Sequence, residues 1–361
     1  MVLNRRTVIR SALGFGAGYL SRPARASSLS YDQAVRETWA PLQASPRDRE
    51  LVRAATLAAN SHNTQPWFFT AATNAISITP DIGRRCPAVD PDDHHLFVSL
   101  GCAAENLVHA AAAVGLVATP AYADDRVTIG LEPSPSARSA LFDAITVRQS
   151  TRAPFDRRPV SADAMRLLDD AGRESGVELI LLTDKAKIAE VADYVVQGNT
   201  AQMRDAAFMA ELKSWLRFSE TDAVATRDGL FARASGNPAM PSWLARAILP
   251  LAFTEDGENK KYRDHIESSA GVAVFVSDGN DKAHWVAAGR ACQRFALQVT
   301  ALGLKYAFIN QPAEVPALRH QFASYLGLGE RRPDLVLRFG AGTALPKSLR
   351  RPPEQVIRNP L

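Results

Sequence analysis

Cysteine is scarce in this chain, and the three cysteines that occur lie far apart. Among the 361 residues only Cys86, Cys102 and Cys292 carry thiols, and they form neither a Cys-x-x-Cys pair nor a dense framework. Structural zinc sites and disulfide-stapled domains both need cysteines at short, repeated spacings. The sequence therefore predicts no disulfide scaffold, and no metal site is expected.

Clusters of one charge are also missing. The formal net charge is only +4 at pH 7, and lysine and arginine are scattered rather than interleaved with aromatic residues. A nucleic-acid-binding surface would concentrate them on one face. We therefore expect no nucleic-acid partner, and expect the basic residues to form solvated faces with one or two anion sites. With 46% hydrophobic and 22% charged residues, the chain has the composition of one large or two modest globular domains.

The first 27 residues differ from the rest. Asn4 to Arg10 carries paired arginines, Ser11 to Leu20 is moderately apolar but too short to span a bilayer, and Ala24-Arg25-Ala26 has small residues where a signal peptidase cuts. This pattern resembles a twin-arginine export signal, although a disordered basic start would share part of it. It predicts export by the twin-arginine machinery to the periplasm, without stable membrane insertion afterwards. Because that route carries folded proteins, often around a cofactor, it also favours a bound cofactor.

Two small-residue helices repeat the same pattern along the chain. Gly101 and Gly289 are 188 positions apart, and so are Gly115 and Gly303, which follow the two helices. Strand-like residues precede each helix, at 76–79 and 272–277. The matched spacing predicts two tandem copies of one α+β unit and is a poor fit to chance similarity between two helices.

The repeat sets the expected domain bounds. Residues 28–140 form the first copy and 141–361 the second, with an insertion at about 194–258 that either covers a site or is a surface helix pair with its own small core. Ser45 and Ser161 are expected to cap corresponding helices in the two copies.

Three polar segments are candidates for a binding site. The loop from Asn60 to Trp67 carries amide and hydroxyl side chains and ends on a proline and an indole. In Arg148-Gln149-Ser150-Thr151-Arg152, two arginines and a serine can converge on a phosphomonoester. The tail 345–353 places three cations on a proline-limited segment. Taken alone, the loop would be interpreted as a turn, the arginine segment as a basic surface and the tail as a solvated segment.

Together these segments resemble the FMN-binding signatures of the nitroreductase superfamily. The string Ser61-His62-Asn63-Thr64-Gln65-Pro66-Trp67 is the most specific part, and the segments 308–312 and 334–340 are similar to the second-half pattern of the family. The resemblance covers most of residues 31–355. It implies an α+β, nitroreductase-like fold whose two tandem copies form a pseudo-dimer in one chain, so that the protein is a monomer.

The resemblance also implies one FMN between the two halves. The phosphate would be held by the arginine segment and the tail, the ribityl chain or pyrimidine edge by the polar loop, and the polar edge of the ring by the residues after a second-half strand. For the phosphate, the implied residues are Arg148, Ser150 and Arg152 with one or more of Lys347, Arg350 and Arg351. For the ribityl chain or pyrimidine edge, they are Asn60, Ser61 and Asn63. For the polar edge of the ring, they are Asn310 and Gln311. In the first half the equivalent of the arginine segment carries Glu37, which would repel an anion, and the second half has no Gln-Pro-Trp loop. A second site is therefore expected to have been lost.

The implied activity is that of an FMN-dependent oxidoreductase. NAD(P)H or another reduced donor would pass a hydride to the flavin, and a small electrophile such as a nitroaromatic or a quinone would take the electrons. Such chemistry needs no protein nucleophile, so no catalytic residue is assigned, and His62, His94, His95 and His109 are given no catalytic role. Because nicotinamide cofactors are scarce outside the cytoplasm, the alternative is a protein that sequesters FMN beneath the insertion without turnover. A non-flavin ligand-binding module is a third interpretation.

Overall fold

The computed structural model describes residues 29–43 and 47–358. The predicted export signal and the predicted cap Ser45 lie outside these ranges. The helices are α1 (Tyr31–Thr38), α2 (Arg47–Thr56), α3 (His94–Ala113), α4 (Ala140–Ile145), α5 (Ala162–Gly172), α6 (Lys185–Arg204), α7 (Ala206–Trp215), α8 (Glu220–Thr226), α9 (Ser242–Ala252), α10 (Glu255–Glu267), α11 (Lys282–Ala301), α12 (Gln311–Glu314), α13 (Pro316–Tyr325) and α14 (Pro353–Val356). The strands are β1 (Trp67–Ala72), β2 (Ala75–Pro80), β3 (Leu116–Ala123), β4 (Arg126–Pro133), β5 (Val177–Leu182), β6 (Leu216–Arg217), β7 (Leu230–Phe231), β8 (Gly271–Ser277), β9 (Lys305–Phe308) and β10 (Pro333–Gly340).

Two four-stranded sheets have the same topology. Their strand orders are β1-β2-β4-β3 and β5-β8-β10-β9, and β6 and β7 form a separate short pair. Every pairing within the two large sheets is antiparallel. In each sheet a 20-residue helix, α3 or α11, joins the second strand to the third. This α+β arrangement agrees with the fold that the resemblance implies.

The two long helices pack against each other at the centre of the molecule. A Cβ atom added to Gly101 would lie 2.1 Å from the Val286 carbonyl oxygen, and one added to Gly289 would lie 2.1 Å from the Val98 carbonyl oxygen. The contact is reciprocal, as at an interface between two equivalent subunits. Only glycine lets the backbones approach this closely.

The core around these helices draws on both halves. The largest hydrophobic cluster joins side chains of the first sheet and α3 to side chains of α11 and the second sheet. Helix α3 has the length and apolar character of a membrane span, and it is the one helix among the described residues that does. However, 78% of the apolar stretch of this helix is buried inside the fold, so α3 is a core helix.

The second half carries an insertion between its first two strands. Where the first half has a two-residue turn between β1 and β2, five helices, α6 to α10, lie between β5 and β8. The predicted insertion at 194–258 falls inside this run of residues 183–270. Its helices cover one side of a cavity between the two halves.

The chain after β10 crosses back to the first half. Ile357 forms a parallel bridge with Phe69, and the Arg358 N–H donates to the Phe69 carbonyl oxygen at 2.7 Å. The basic tail is thereby held against the first half. The predicted cap Ser161 is confirmed, since its hydroxyl accepts from the Ala164 N–H at 3.3 Å.

Candidate functional site

A cavity with two connected lobes lies between the two halves. We call the larger the main lobe, with a volume of about 240 Å³, and the smaller the clamp lobe, with a volume of about 60 Å³. Asn60, Arg152 and Phe308 line both lobes, so the two form one slot. The first half contributes the polar loop and the start of α3, and the second contributes the arginine segment, the end of β9 and the insertion.

The clamp lobe is lined by four cations. Arg148 and Arg350 are buried, and Arg152 and Lys347 are half-buried. Among the described residues, none of the four forms an ion pair with a carboxylate. Buried cations normally have an acidic partner, because removing charge from water is costly. This concentration of uncompensated positive charge indicates an anion-binding site.

Neutral oxygens hold these cations in place. Arg148 Nη2 donates to the Leu57 carbonyl at 2.7 Å, and its Nη1 donates to the hydroxyl of Tyr306. Arg350 donates from Nε to the Thr56 carbonyl at 3.0 Å and from Nη2 to the Ala58 carbonyl at 3.2 Å. These carbonyls lie at and just beyond the C-terminal end of α2, where the helix dipole is negative. They orient the guanidinium groups but leave their full charge available to a ligand.

The remaining clamp cations are oriented in the same way. Lys347 donates from Nζ to the Thr146 carbonyl and lies over the ring of Trp39, 4.1 Å from its centroid. Arg152 has no hydrogen-bond partner among the described residues.

The pKa values of these groups reflect their burial. Burial, followed by repulsion from Arg148 and Arg350, lowers the pKa of Lys347 to about 7. Burial and repulsion from Arg148 likewise lower the pKa of Arg350 to about 9, and burial lowers the pKa of Arg152. Each shift means that the charged form is disfavoured until an anion arrives.

Several buried polar atoms around the cavity have no hydrogen-bond partner. Within the described residues ten buried side-chain atoms are unpartnered, and five of them belong to residues that line the two lobes. These five are Arg148 Nε, Ser150 Oγ, Asn63 Oδ1, His62 Nδ1 and Gln311 Oε1. Native proteins rarely bury unpaired polar groups, so their concentration here indicates a polar ligand. The donors at the clamp end suit a phosphate monoester, which is the group that FMN would place there.

The polar loop takes a strained backbone path beside the cavity. His62, Asn63 and Gln65 have positive φ angles of 46°, 54° and 55°. Asn60 Oδ1 accepts from the Gln65 N–H at 2.9 Å, which closes the turn, and Ser61 lines the main lobe. Positive φ is uncommon outside glycine and clusters at functional sites.

Two side chains of the loop bind other parts of the protein. Asn63 Nδ2 donates to the carbonyls of Gly229 at 3.0 Å and Leu349 at 3.2 Å. Gln65 Nε2 donates to the Arg227 carbonyl at 2.9 Å. These bonds fasten the insertion and the tail to the loop. Asn63 also lines the clamp lobe, so its unpartnered Oδ1 stays beside the cavity.

The other predicted site residues divide into two groups. Asn310 and Gln311 line the main lobe, although Asn310 Oδ1 already accepts from the Val336 N–H at 2.8 Å. Arg351 lines neither lobe: its guanidinium donates to the Gln65 carbonyl and lies 3.6 Å from Asp81. The tail therefore brings Lys347 and Arg350 to the clamp, while Arg351 fixes the loop.

The main lobe has two chemically different walls. Side chains of the insertion form an apolar wall with Met203, Phe208, Leu212, Leu216 and Phe253. The polar wall includes His62, His95 and Glu314, and Gln202 of the insertion belongs to it as well. Burial lowers the pKa of His62 to about 4. Sequence reasoning does not single out Glu314 or Tyr306 and assigns His95 no catalytic role, because none of the three belongs to a recognisable motif.

The two halves are not equivalent at their interface. Gln293 and Asn106 are hydrogen-bonded amides at 2.7 Å, and Gln293 Oε1 accepts from the Ala59 N–H at 3.1 Å, which supports the loop. The residues 188 positions away from them are Glu105 and Arg294, an ion pair at 2.6 Å. One side of the interface thus holds neutral amides and the other a network of charges.

Comparison with known proteins agrees with the motifs. No family model matches the chain. A Mycobacterium tuberculosis protein provisionally named NAD(P)H nitroreductase Rv3131 is 26% identical over 332 residues, which are 86% of this chain and 91% of that protein. Another from the same organism, provisionally named NAD(P)H nitroreductase acg, is 21% identical over 322 residues, 87% of this chain and 93% of that protein.

One solved structure has a more distant similarity. The FMN-dependent nitroreductase NfnB from Mycobacterium smegmatis, in complex with NADPH, aligns with a TM-score of 0.38 and 15% identity over 56% of this chain and 87% of that one. Along most of its length, this chain is thus similar to two proteins that are provisionally named NAD(P)H nitroreductases.

Proposed function

We propose that the protein is an FMN-dependent oxidoreductase, with the FMN phosphate in the clamp lobe and the ring system in the main lobe. The observation that carries this proposal is the set of four clamp cations, which have no carboxylate partner within residues 29–43 and 47–358. A phosphate dianion would neutralise them and supply partners for Ser150 Oγ and Arg148 Nε. The names of the relatives support NAD(P)H as the electron donor. If the protein is exported, another reduced donor is the alternative.

Predicted residues that line the two lobes then take these roles. Arg148, Arg152, Lys347 and Arg350 bind the phosphate. Asn60, which lines both lobes, and Ser61, which lines the main lobe, face the ribityl chain. Asn310 and Gln311 lie beside the polar edge of the ring. Bound FMN supplies the redox chemistry, and the chain supplies orientation and a donor-rich environment that favours the reduced, more negative state.

The main lobe is proposed to hold the electron acceptor as well. Its apolar wall excludes water and suits a flat aromatic molecule, and its polar wall offers hydrogen bonds to an oxygen substituent. We therefore propose a small electrophile of the nitroaromatic or quinone class.

A second candidate function is sequestration of FMN without turnover. The hydrogen bonds from Asn63 and Gln65 to the insertion favour it, because they fasten the insertion to the polar loop beside the cavity. The two functions differ in how the bound flavin responds to a donor.

The experiment is purification of the protein with its flavin, followed by anaerobic mixing with NADH or NADPH. We expect a yellow protein whose visible flavin absorbance bleaches and then recovers when menadione is added. A flavin that stays oxidised with both nucleotides, yet is reduced by dithionite, would favour sequestration. A colourless protein that takes up no FMN on incubation would contradict both functions.

Export is also proposed, from the paired arginines of the first 27 residues. Replacement of both Arg5 and Arg6 by lysine is expected to move the protein from the periplasmic to the cytoplasmic fraction. An unchanged distribution would contradict twin-arginine export.

A further inference from the structure

A histidine and a glutamate from different halves meet at the polar wall of the main lobe. His95, near the start of α3, has its Nε2 at 3.4 Å from Oε1 of Glu314 on α12. Gln202 on α6 donates to Glu314 Oε2 at 2.7 Å, so the insertion fixes the carboxylate. His95 Nδ1 has no hydrogen-bond partner among the described residues, although the imidazole lines the cavity.

The backbone of His95 is fixed as well. Its N–H donates to Asp90 Oδ1 at 3.0 Å, and the next N–H, of Leu96, donates to Asp90 Oδ2 at 3.0 Å. The contact with Glu314 and the fixed backbone together orient the imidazole. A side chain that presents one ring nitrogen to a ligand needs such support.

The charges around His95 favour its protonated form. Burial opposes the charge, but the hydrogen bond to Glu314 and the nearby Asp90 outweigh it, and the pKa of His95 is raised. Burial would raise the pKa of Glu314, but its contact with His95 lowers it. Two other groups, Arg332 and the neighbouring His94, oppose the charge on this imidazole, and His62 faces it across the cavity. The contact with Glu314 therefore favours the protonated imidazole, and the contact with His95 favours the ionised carboxylate.

We propose that His95 donates a proton to the oxygen of a quinone-class acceptor in the main lobe, with Glu314 as its positioning residue. This inference rests on the proposed oxidoreductase function and names a residue for its acceptor step. Reduction of a quinone to a hydroquinone takes two electrons and two protons. Bound reduced FMN would supply both electrons and one proton as a hydride equivalent. His95 would supply the second proton, as its imidazolium N–H bond breaks and the second O–H bond of the hydroquinone forms. Water then reprotonates the neutral imidazole.

The test compares two acceptors with different proton requirements. The holoprotein is reduced with one equivalent of dithionite and mixed with menadione, a quinone, or with ferricyanide, which takes an electron but no proton. Loss of a general acid typically costs a factor of 10² to 10⁴. We expect His95→Gln to slow oxidation by menadione by about 100-fold or more and to leave oxidation by ferricyanide unchanged. His320→Gln, at an exposed histidine on α13, is the matched control and should change neither rate.

The pH dependence separates the two roles. Because the protonated imidazole is the donor, the wild-type menadione rate should fall as pH rises through the pKa of His95, and the His95→Gln rate should not show this fall. In Glu314→Gln the fall should move to lower pH. Histidine NMR of the oxidised protein, which needs no turnover, should show the same lowering of the His95 pKa.

The outcomes distinguish this inference from the function on which it rests. Equal menadione rates in His95→Gln and wild type, or parallel slowing with both acceptors, would overturn the role of His95. Reduced wild-type protein that ferricyanide oxidises and menadione does not would overturn it too, while FMN binding stands. Protein that neither acceptor oxidises would overturn the oxidoreductase function as well.

Discussion

At the residue scale, Arg148 is held by neutral oxygens and keeps one donor for a ligand. Its Nη1 and Nη2 are hydrogen-bonded, and its buried Nε has no partner among the described residues. A charge-assisted hydrogen bond to phosphate contributes about 1.5 to 3 kcal/mol. Arg148→Ala should therefore weaken FMN binding by about 10- to 150-fold, measured by the quenching of flavin fluorescence on titration.

A surface arginine provides the control for this substitution. Arg138 has a side chain that is 69% exposed and pairs with Asp143 away from the clamp lobe. Arg138→Ala should leave FMN affinity unchanged. Equal affinities in all three proteins would contradict the placement of the phosphate.

Lys347 should make FMN binding depend on pH. Its pKa is about 7 in the folded protein, below the ordinary 10.5, so above pH 7 the free site holds a neutral amine. A phosphate dianion restores the charge, so binding takes up a proton and should weaken by up to about tenfold per pH unit between pH 7 and 8.5. Lys347→Arg, whose side chain stays charged, should remove most of this fall when affinity is titrated at several pH values. A fall of equal slope in both proteins would assign the pH dependence to another group.

The same shift affects stability in the opposite direction. Between pH 7 and 10.5 the unfolded chain holds a proton on Lys347 that the folded, FMN-free protein has released. Stability of the FMN-free protein contributed by this residue therefore rises with pH across that window. FMN affinity falls over the same pH range. The clamp therefore binds phosphate most tightly at the low-pH end of this range, where Lys347 also lowers the stability of the FMN-free protein most.

At the element scale, the crossing of α3 and α11 depends on two glycines. Alanine at position 101 would bring its Cβ to 2.1 Å from the Val286 carbonyl oxygen, so the helices would have to separate. We expect Gly101→Ala to lower the free energy of unfolding by about 1–3 kcal/mol, and Gly289→Ala to do the same because the contact is reciprocal. Urea unfolding would measure both.

Gly303 is the matched control for these substitutions. It has a φ of 74°, and a Cβ added there meets no atom within 4 Å. Gly303→Ala should therefore cost only the backbone strain, about 1 kcal/mol. If Gly101→Ala cost no more than this, the close crossing would not be the element that joins the halves.

The long, regular elements could be read from the sequence because their patterns are local. The small-residue helices, the strands before them and the cap Ser161 follow from spacing and composition. The loop and the arginine segment were found through a family motif, not through periodicity. Arg351 and the pair of His95 with Glu314 could not be assigned, because their positions depend on how the tail and α12 return to distant parts of the chain.

At the scale of the whole molecule, the two halves share a topology but differ where a second site would lie. Glu105 binds both Arg290 and Arg294, and Glu174 binds the same two arginines, so each cation already has two carboxylates. The clamp cations have none in the part of the chain that the structure describes. The position related to the arginine segment carries Glu37, which is 3.5 Å from Arg227. The clamp side of the interface therefore attracts an anion. On the other side, every cation at the described positions named above is already paired with a carboxylate.

This asymmetry predicts one FMN in each chain. Native mass spectrometry of the yellow protein should give the mass of one chain with one FMN, and heat-released flavin measured against protein concentration should give a ratio near one. Arg148→Ala should lower that ratio towards zero, because no second site would retain flavin when the clamp is weakened. Retention of one FMN by Arg148→Ala, or a ratio of two in the wild type, would mean that the charge network around Glu105 and Glu174 does not exclude a phosphate. The halves would then be functional equivalents, and the repeat would be a symmetric dimer joined into one chain.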